Sequence, residues 1–143
     1  MSGQLTDNMI VERLKDAGLR PTRQRIALAR LLFGPTDRHV TAETLHKEAV
    51  NDAIPVSLAT VYNTLHQFTE AGMLREVAIE GARTYFDTNT SNHTHFYIEA
   101  DDALLDVDNA SPPVVTLPEP PEGTVISRVD VLVRLKKKGE GKG

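Results

Sequence analysis

SLATVYNTLHQFTEAGMLREVAIEGARTYFD, residues 57–87, is the stretch that decides the fold. Ser57 can accept an orphan amide N–H of a first helical turn, and Gly72 stands where a helix ends in a left-handed residue. Between them Leu58, Val61, Leu65 and Phe68 recur at helical spacing as an apolar stripe. Thr60, Asn63, Thr64 and Gln67 are left on the outward face, which carries hydrogen-bonding groups and no charge. From Leu74 to Asp87 the period changes to two around Glu80 and Gly81, which read as a two-residue hairpin turn between two strands. Helices followed at once by a twisted hairpin make a winged helix.

Three further helices precede this stretch. Residues 7–17 place Ile10, Val11, Leu14 and Ala17 on one stripe, with Gly18 ending it. Thr22 can cap a second helix whose buried side is Ile26, Ala29, Leu32 and Phe33, stopped by Gly34 and Pro35. Thr41 caps a third that carries Leu45 and Ala49 and ends at Asn51 and Asp52. Beyond Asp87 the pattern is one of strands. HFYIEA and ALLDVD read as short strands, NASPPVVTLPEPPEG as a proline-rich connection, and residues 124–136 as one long strand. That long strand sets Val125, Val129, Val131, Val133 and Leu135 on one face and Arg128, Asp130 and Arg134 on the other. The expected organisation is α+β: a winged helix over residues 1–87, a small mostly β dimerisation and sensing domain over 88–137, and a disordered tail at 138–143.

At 143 residues and 40% hydrophobic content, the chain can bury one ordinary core, or two small ones if a second copy completes one of them. No apolar run approaches the roughly 18 residues that span a bilayer, and the N-terminus has no basic region followed by an apolar one, so a cytoplasmic protein is expected. Cysteine is absent, which excludes disulfides, thiolate zinc sites and thiol chemistry and leaves any metal to His and carboxylate. The net charge of −4 argues against a nucleic-acid partner until its distribution is considered. Arg20, Arg23, Arg25 and Arg30 fall together in a stretch without an acid, whereas Glu99, Asp101, Asp102, Asp106 and Asp108 fall together in one without a base.

A polar, uncharged helix face preceded by an arginine-bearing helix suits recognition in the major groove of DNA. Asn63 and Gln67 can make paired hydrogen bonds to adenine, and Thr60 can offer its methyl group to thymine or its hydroxyl to a phosphate. Tyr62 can reach the backbone or a thymine methyl, Arg20 an adjacent minor groove, and Arg23 and Arg25 phosphates. The alternative is a solvated helix with ordinary surface arginines. A second constellation is His93-Thr94-His95: on a strand, alternate residues share a face, so two imidazoles can converge on one ion. Asp87 can add an oxygen ligand, and His39, in the loop between the second and third helices, a nitrogen. Such a set suits Zn(II), Fe(II) or Mn(II), and His93 and His95 can also ligate haem iron. Two solvated histidines are the ordinary alternative, and His46 and His66, inside helices, read as packing or surface residues.

LKDAGLRPTRQRIALARLL, RHVTAETLH, SLATVYNTLHQFTEAGML and ARTYFD with HTHFYIE resemble the successive blocks of the ferric uptake regulator superfamily over about residues 10–107. The resemblance implies a dimeric winged-helix regulator binding a palindromic, AT-rich operator in double-stranded DNA, with a regulatory metal near the hinge. Carried over residue by residue, the hinge set falls on His39, Asp87, His93 and His95. Tyr62 falls on a DNA contact, Asn63 replaces an arginine common there, and Arg20 matches the basic residue that reads the minor groove. The paired cysteines of the family's structural zinc are missing, with Ile98 and Asp101 where the first pair stands elsewhere, and SPPVVTLPEPPEG takes the place of a long dimerisation helix. A cysteine-free chain with a histidine block after the wing is most similar to the iron-response regulator (Irr) branch, associated with haem as its signal. Here the block reads NHTH and lacks its first histidine, and the Cys-Pro haem motif is absent. The expectation is a homodimeric repressor of iron or haem homeostasis genes, not an enzyme, controlled by haem or a divalent metal. The competing readings are an Fe(II)- or Mn(II)-dependent repressor, a small His and carboxylate metalloenzyme, and a winged helix that binds protein.

Overall fold

Hydroxyl caps open the four helices found among the described residues. Thr6, Thr22, Thr41 and Ser57 each adopt extended backbone and accept the amide N–H three residues on, which satisfies a donor that the first turn cannot pair internally. The helices are α1 (Asp7–Asp16), α2 (Arg23–Leu32), α3 (Ala42–Asn51) and α4 (Leu58–Glu70). In this computed structural model, residues 5–79, 81–91, 94–107 and 116–139 are described. The chain forms two compact units, residues 1–90 and 91–143.

In the first unit Ile10, Leu14, Leu28, Leu32, Leu45, Val61, Leu65 and Phe68 are fully buried in one core. Their burial drives the assembly, each such side chain contributing about 1.5–3 kcal/mol. The buried face of α4 is centred differently from the expected stripe. Leu58 is 42% exposed, whereas Thr64, expected outside, is buried. Positions 61, 64, 65 and 68 follow the i, i+3, i+4, i+7 spacing of one helical face, and Leu58 lies in the first turn, beyond the core's edge. Thr64 is buried at low cost because its hydroxyl donates to the Thr60 carbonyl at 2.8 Å. On α2, Leu28 joins Ala29 and Leu32 in the core.

The wing is three-stranded. The strands β1 (His39–Val40), β2 (Arg75–Val77) and β3 (Tyr85–Asp87) are ordered β1-β3-β2, both pairings antiparallel. His39 therefore sits on a strand rather than in a loop. The hairpin register also differs from a two-residue turn: Val77 pairs with Tyr85, whereas closure on residues 80 and 81 alone brings Thr84 to that place. One extra residue is taken up on the return side. Gly81, at φ +80°, precedes an Ala82 N–H that donates to the Ile79 carbonyl, a place where a side chain is strained. Glu80 lies outside the described residues.

The second unit contains β4 (His95–Ile98), a single 3-10 turn at Glu99–Asp101, β5 (Ala103–Asp106) and β6 (Leu132–Leu135). Its sheet has order β5-β4-β6, with β4 antiparallel to β5 and parallel to β6. The expected long strand over 124–136 is cut to these four residues, because β4 offers only four positions to pair with. Val125, Ile126 and Val129 lie outside the ladder and are exposed. Much of the proline-rich connection, and the last residues of the tail, lie outside the described residues. The fold is α+β, a winged helix with a small, mostly β unit after it. Among the described residues no helix is long and apolar enough to cross a membrane.

Candidate nucleic-acid face and metal-ligand pairs

The outward face of α4 and the loop before α2 enclose one open groove, lined by Arg20, Arg25, Thr60, Asn63 and Gln67, with Thr22 and Gln24 at its side. Five of the seven residues expected to meet DNA are thus brought together. Tyr62, 45% exposed, lines a neighbouring apolar groove with Leu58, Ala59 and Asn63, its ring centroid 4.6 Å from that of His66 and tilted to it by 60°. Arg23 lines a third groove with Asp7 and Arg30, which pair with each other. Arg25 is not simply presented to solvent. Its guanidinium donates to the Arg20 carbonyl at 2.9 Å and to Gln67 Oε1 at 3.0 Å, tying the loop before α2 to the face of α4. Thr22 and Gln24 are groove residues that sequence reasoning did not single out, since Thr22 is already explained as a cap.

The metal-ligand candidates fall into two histidine–carboxylate pairs, one in each unit. In the first, His39 and Asp87 are register partners across β1 and β3. His39 Nε2 lies 3.2 Å from Asp87 Oδ2, and the Asp87 side chain is 0% exposed. Burying a carboxylate is costly unless it is paired and hydrogen-bonded. Its other oxygen, Oδ1, accepts the Asn89 N–H at 2.9 Å. Arg38, next to His39, holds β1 in place: its guanidinium forks onto Glu48 of α3 at 3.0 and 2.6 Å and also donates to the Leu31 carbonyl. In the second unit, His95 and Asp106 are register partners across β4 and β5, with His95 Nε2 3.4 Å from Asp106 Oδ1 and the His95 side chain 5% exposed. Asp106 was read from sequence only as part of an acidic run, and a pairing across two strands leaves no local sequence signal. His93 lies outside the described residues. Each pair sets an imidazole nitrogen beside a carboxylate oxygen, the hard and borderline donors that suit Mn(II), Fe(II) or Zn(II). Without an ion the same atoms form a histidine–carboxylate hydrogen bond.

His46 and His66 behave as packing residues. His46 Nε2 is 3.2 Å from the Val56 carbonyl, while His66 lies edge-on to Phe86 and 3.7 Å from Glu76.

The chain is 38% identical over 80 residues to a ferric uptake regulation protein of Vibrio cholerae, covering 56% of this chain and 53% of that protein. Against the corresponding protein of Escherichia coli K12 it is 36% identical over 89 residues, 62% of this chain and 59% of the other. It thus spans somewhat more than half the length of these relatives. Among solved structures it resembles the ferric uptake regulator of Pseudomonas aeruginosa with manganese, at a TM-score of 0.70 and 23% identity, covering 94% of this chain and 99% of that one. The Vibrio cholerae regulator matches at a TM-score of 0.69 and 24% identity, covering 89% and 98%. At such identities these likenesses establish the fold. The pattern that defines the Ferric uptake regulator family matches residues 16–111, and the chain belongs to that family.

Proposed function

We propose that this protein is a sequence-specific DNA-binding transcriptional regulator, acting mainly as a repressor of iron homeostasis genes and responding to a divalent metal. The observation that carries the reading is the groove in which Arg20, Arg25, Thr60, Asn63 and Gln67 share one face of a winged helix. That face combines fixed cations with neutral hydrogen-bonding groups, which position a duplex and read base edges respectively. Arg20, Arg23, Arg25, Thr60, Tyr62, Asn63 and Gln67 form the contact set. A homodimer presenting two α4 helices matches a palindromic operator with half-sites one or more helical turns apart. The exposed Val125, Val129 and Val133 of the second unit are the apolar surface available to the partner copy.

His39, Asp87, His93 and His95 are the proposed metal ligands, with Asp106 as a further carboxylate beside His95. An ion bound by such donors stabilises the state of the chain that presents them. Mn(II), Fe(II) and Zn(II) all accept this donor set. The second reading, haem bound through His93 and His95 as in the Irr branch, is favoured by the cysteine-free chain and its histidine block. Against it stands the burial of His95, already engaged by Asp106, because axial ligation of haem needs an open face for the macrocycle.

The test is DNA binding by metal-free protein to AT-rich promoter fragments, titrated in parallel with Mn(II), Fe(II), Zn(II) and haem. Binding that requires a divalent ion supports the proposal. Binding by the metal-free protein that haem alone abolishes establishes the haem reading instead, and failure to bind any duplex refutes both.

A further inference from the structure

Gln67 lies on the exposed face of α4, in the groove proposed to receive DNA, and an unconstrained glutamine there reads ambiguously. Its amide can present a donor, an acceptor, or both together, the last being the pattern that matches adenine. In this structure the ambiguity is removed by Arg25. The Arg25 guanidinium has only donors, and one of them points at Gln67 from 3.0 Å. The amide oxygen must face it, since the opposite flip sets N–H against N–H. Arg25 is itself fixed. Its backbone N–H donates to the Thr22 hydroxyl, and its guanidinium also donates to the Arg20 carbonyl at 2.9 Å, which takes the Thr22 N–H as well. The oxygen of Gln67 is therefore turned towards α2, and its NH2 group is what remains to face a ligand in the groove.

We infer that Arg25 is a positioning residue that makes Gln67 a dedicated hydrogen-bond donor, so the base it meets is selected for a major-groove acceptor (guanine O6 or N7, thymine O4 or adenine N7) and against cytosine, which offers only a donor there. This departs from the paired adenine contact that the residue type alone suggests, and it assigns Arg25 a role other than holding a phosphate. It rests on the DNA-binding reading of the same face.

The experiment is selection from a randomised duplex library by the full-length protein with Mn(II) present, for the natural chain and for Gln67→Glu and Arg25→Met. Gln67→Glu is an exposed substitution that keeps the partner of Arg25 and replaces the outward donor with an acceptor. It is expected to turn the preference at one position per half-site from the acceptor-bearing bases to cytosine, whose N4 amino group donates, by about tenfold, roughly the discrimination of a good base contact. Arg25→Met frees the amide to pair with both N6 and N7 of adenine, and adenine is expected to gain over guanine and thymine at that same position while the remaining positions keep their preferences. Unchanged preferences in both variants overturn the inference and leave DNA binding intact. So does an Arg25→Met variant whose only change is a shallower dependence of affinity on salt, which identifies a phosphate contact. A natural chain that enriches no duplex refutes the DNA reading itself.

Discussion

Replacing the buried carboxylate beside His39 tests the metal reading most directly. Asp87→Asn keeps the shape of the side chain. Its Oδ1 still accepts the Asn89 N–H, and the new amide N–H faces His39 Nε2, which accepts when the ring is neutral, so the metal-free fold changes by about 1 kcal/mol or less. What is lost is one anionic ligand. Removing even a second-layer partner weakens metal sites about 10- to 100-fold, and a direct ligand belongs at the upper end. At a metal concentration about 100 times the natural Kd, binding stabilises the fold by about 2.7 kcal/mol, and a hundredfold weaker site leaves about 0.4 kcal/mol. The difference, about 2.3 kcal/mol, corresponds to about 5–9 °C in Tm for a chain of this size. Thermal unfolding with chelator and with graded Mn(II) or Zn(II) reads it, with Glu12→Gln, an exposed acid on α1, as the control. An Asp87→Asn variant with the full metal-induced shift refutes Asp87 as a ligand. No shift in the natural chain with any of the ions reduces the pair to a structural hydrogen bond.

Two other perturbations test the fold. Ala53 follows α3 at φ +57°, the left-handed conformation that costs a non-glycine residue about 1 kcal/mol or more, so Ala53→Gly is expected to raise stability by up to about 1 kcal/mol in urea unfolding; a loss of stability shows that the position is not strained. The Tyr97 hydroxyl donates to Asp102 Oδ1 at 2.9 Å, and this hydrogen bond, with burial and the charge of Asp102, holds its pKa above 10.0 against the opposing pull of Arg134. The fold favours the protonated form, so the contribution is intact below pH 10 and is lost as pH rises through the raised value. Ultraviolet titration should lose a component that ionises above the ordinary tyrosine range in Tyr97→Phe, and an unchanged titration curve contradicts the hydrogen bond.

The helices of the first unit were legible because apolar period and stop residues agree at each of them, reinforced by hydroxyl caps read at Thr22, Thr41 and Ser57, and such agreement specifies a local structure. The errors arise where a distant partner decides. The apolar period of α4 cannot tell whether Leu58 or Thr64 completes the buried face; the edge of the core excludes the first, and the Thr60 carbonyl accommodates the second. Alternation over 124–136 shows which side chains share a face but not how many residues find a partner, and β4 sets that number. The histidine pairs divide in the same way. His39, Asp87 and His95 stand out by residue type, yet the facing of His39 on Asp87 and of His95 on Asp106 is a matter of strand register. Nothing within a few residues of Asp106 distinguishes it from the acids around it.

The acidic net charge is compatible with DNA binding because of where the charges lie. Glu99 and Asp101 of the second unit pair with Arg134 and Lys137, and Arg30 of α2 is taken by Asp7. Arg20 and Arg23 of the proposed contact set, and Arg83 in the hairpin between β2 and β3, are exposed and enter no ion pair among the described residues; if each meets a phosphate, a protomer makes about three such contacts and a dimer about six. The dependence of log K on log salt concentration should then have a slope of about −5. A slope near half of that identifies a single protomer as the binding unit. One near twice that value requires cations beyond these three, so a salt titration at several protein concentrations checks both the stoichiometry and the assignment of the contact face. Because α4 offers no charge to the duplex, the phosphate contacts supply most of the affinity and the neutral side chains supply discrimination. A single winged helix with about three such contacts then binds weakly at physiological salt, and occupancy of an operator depends on a second copy being held beside the first.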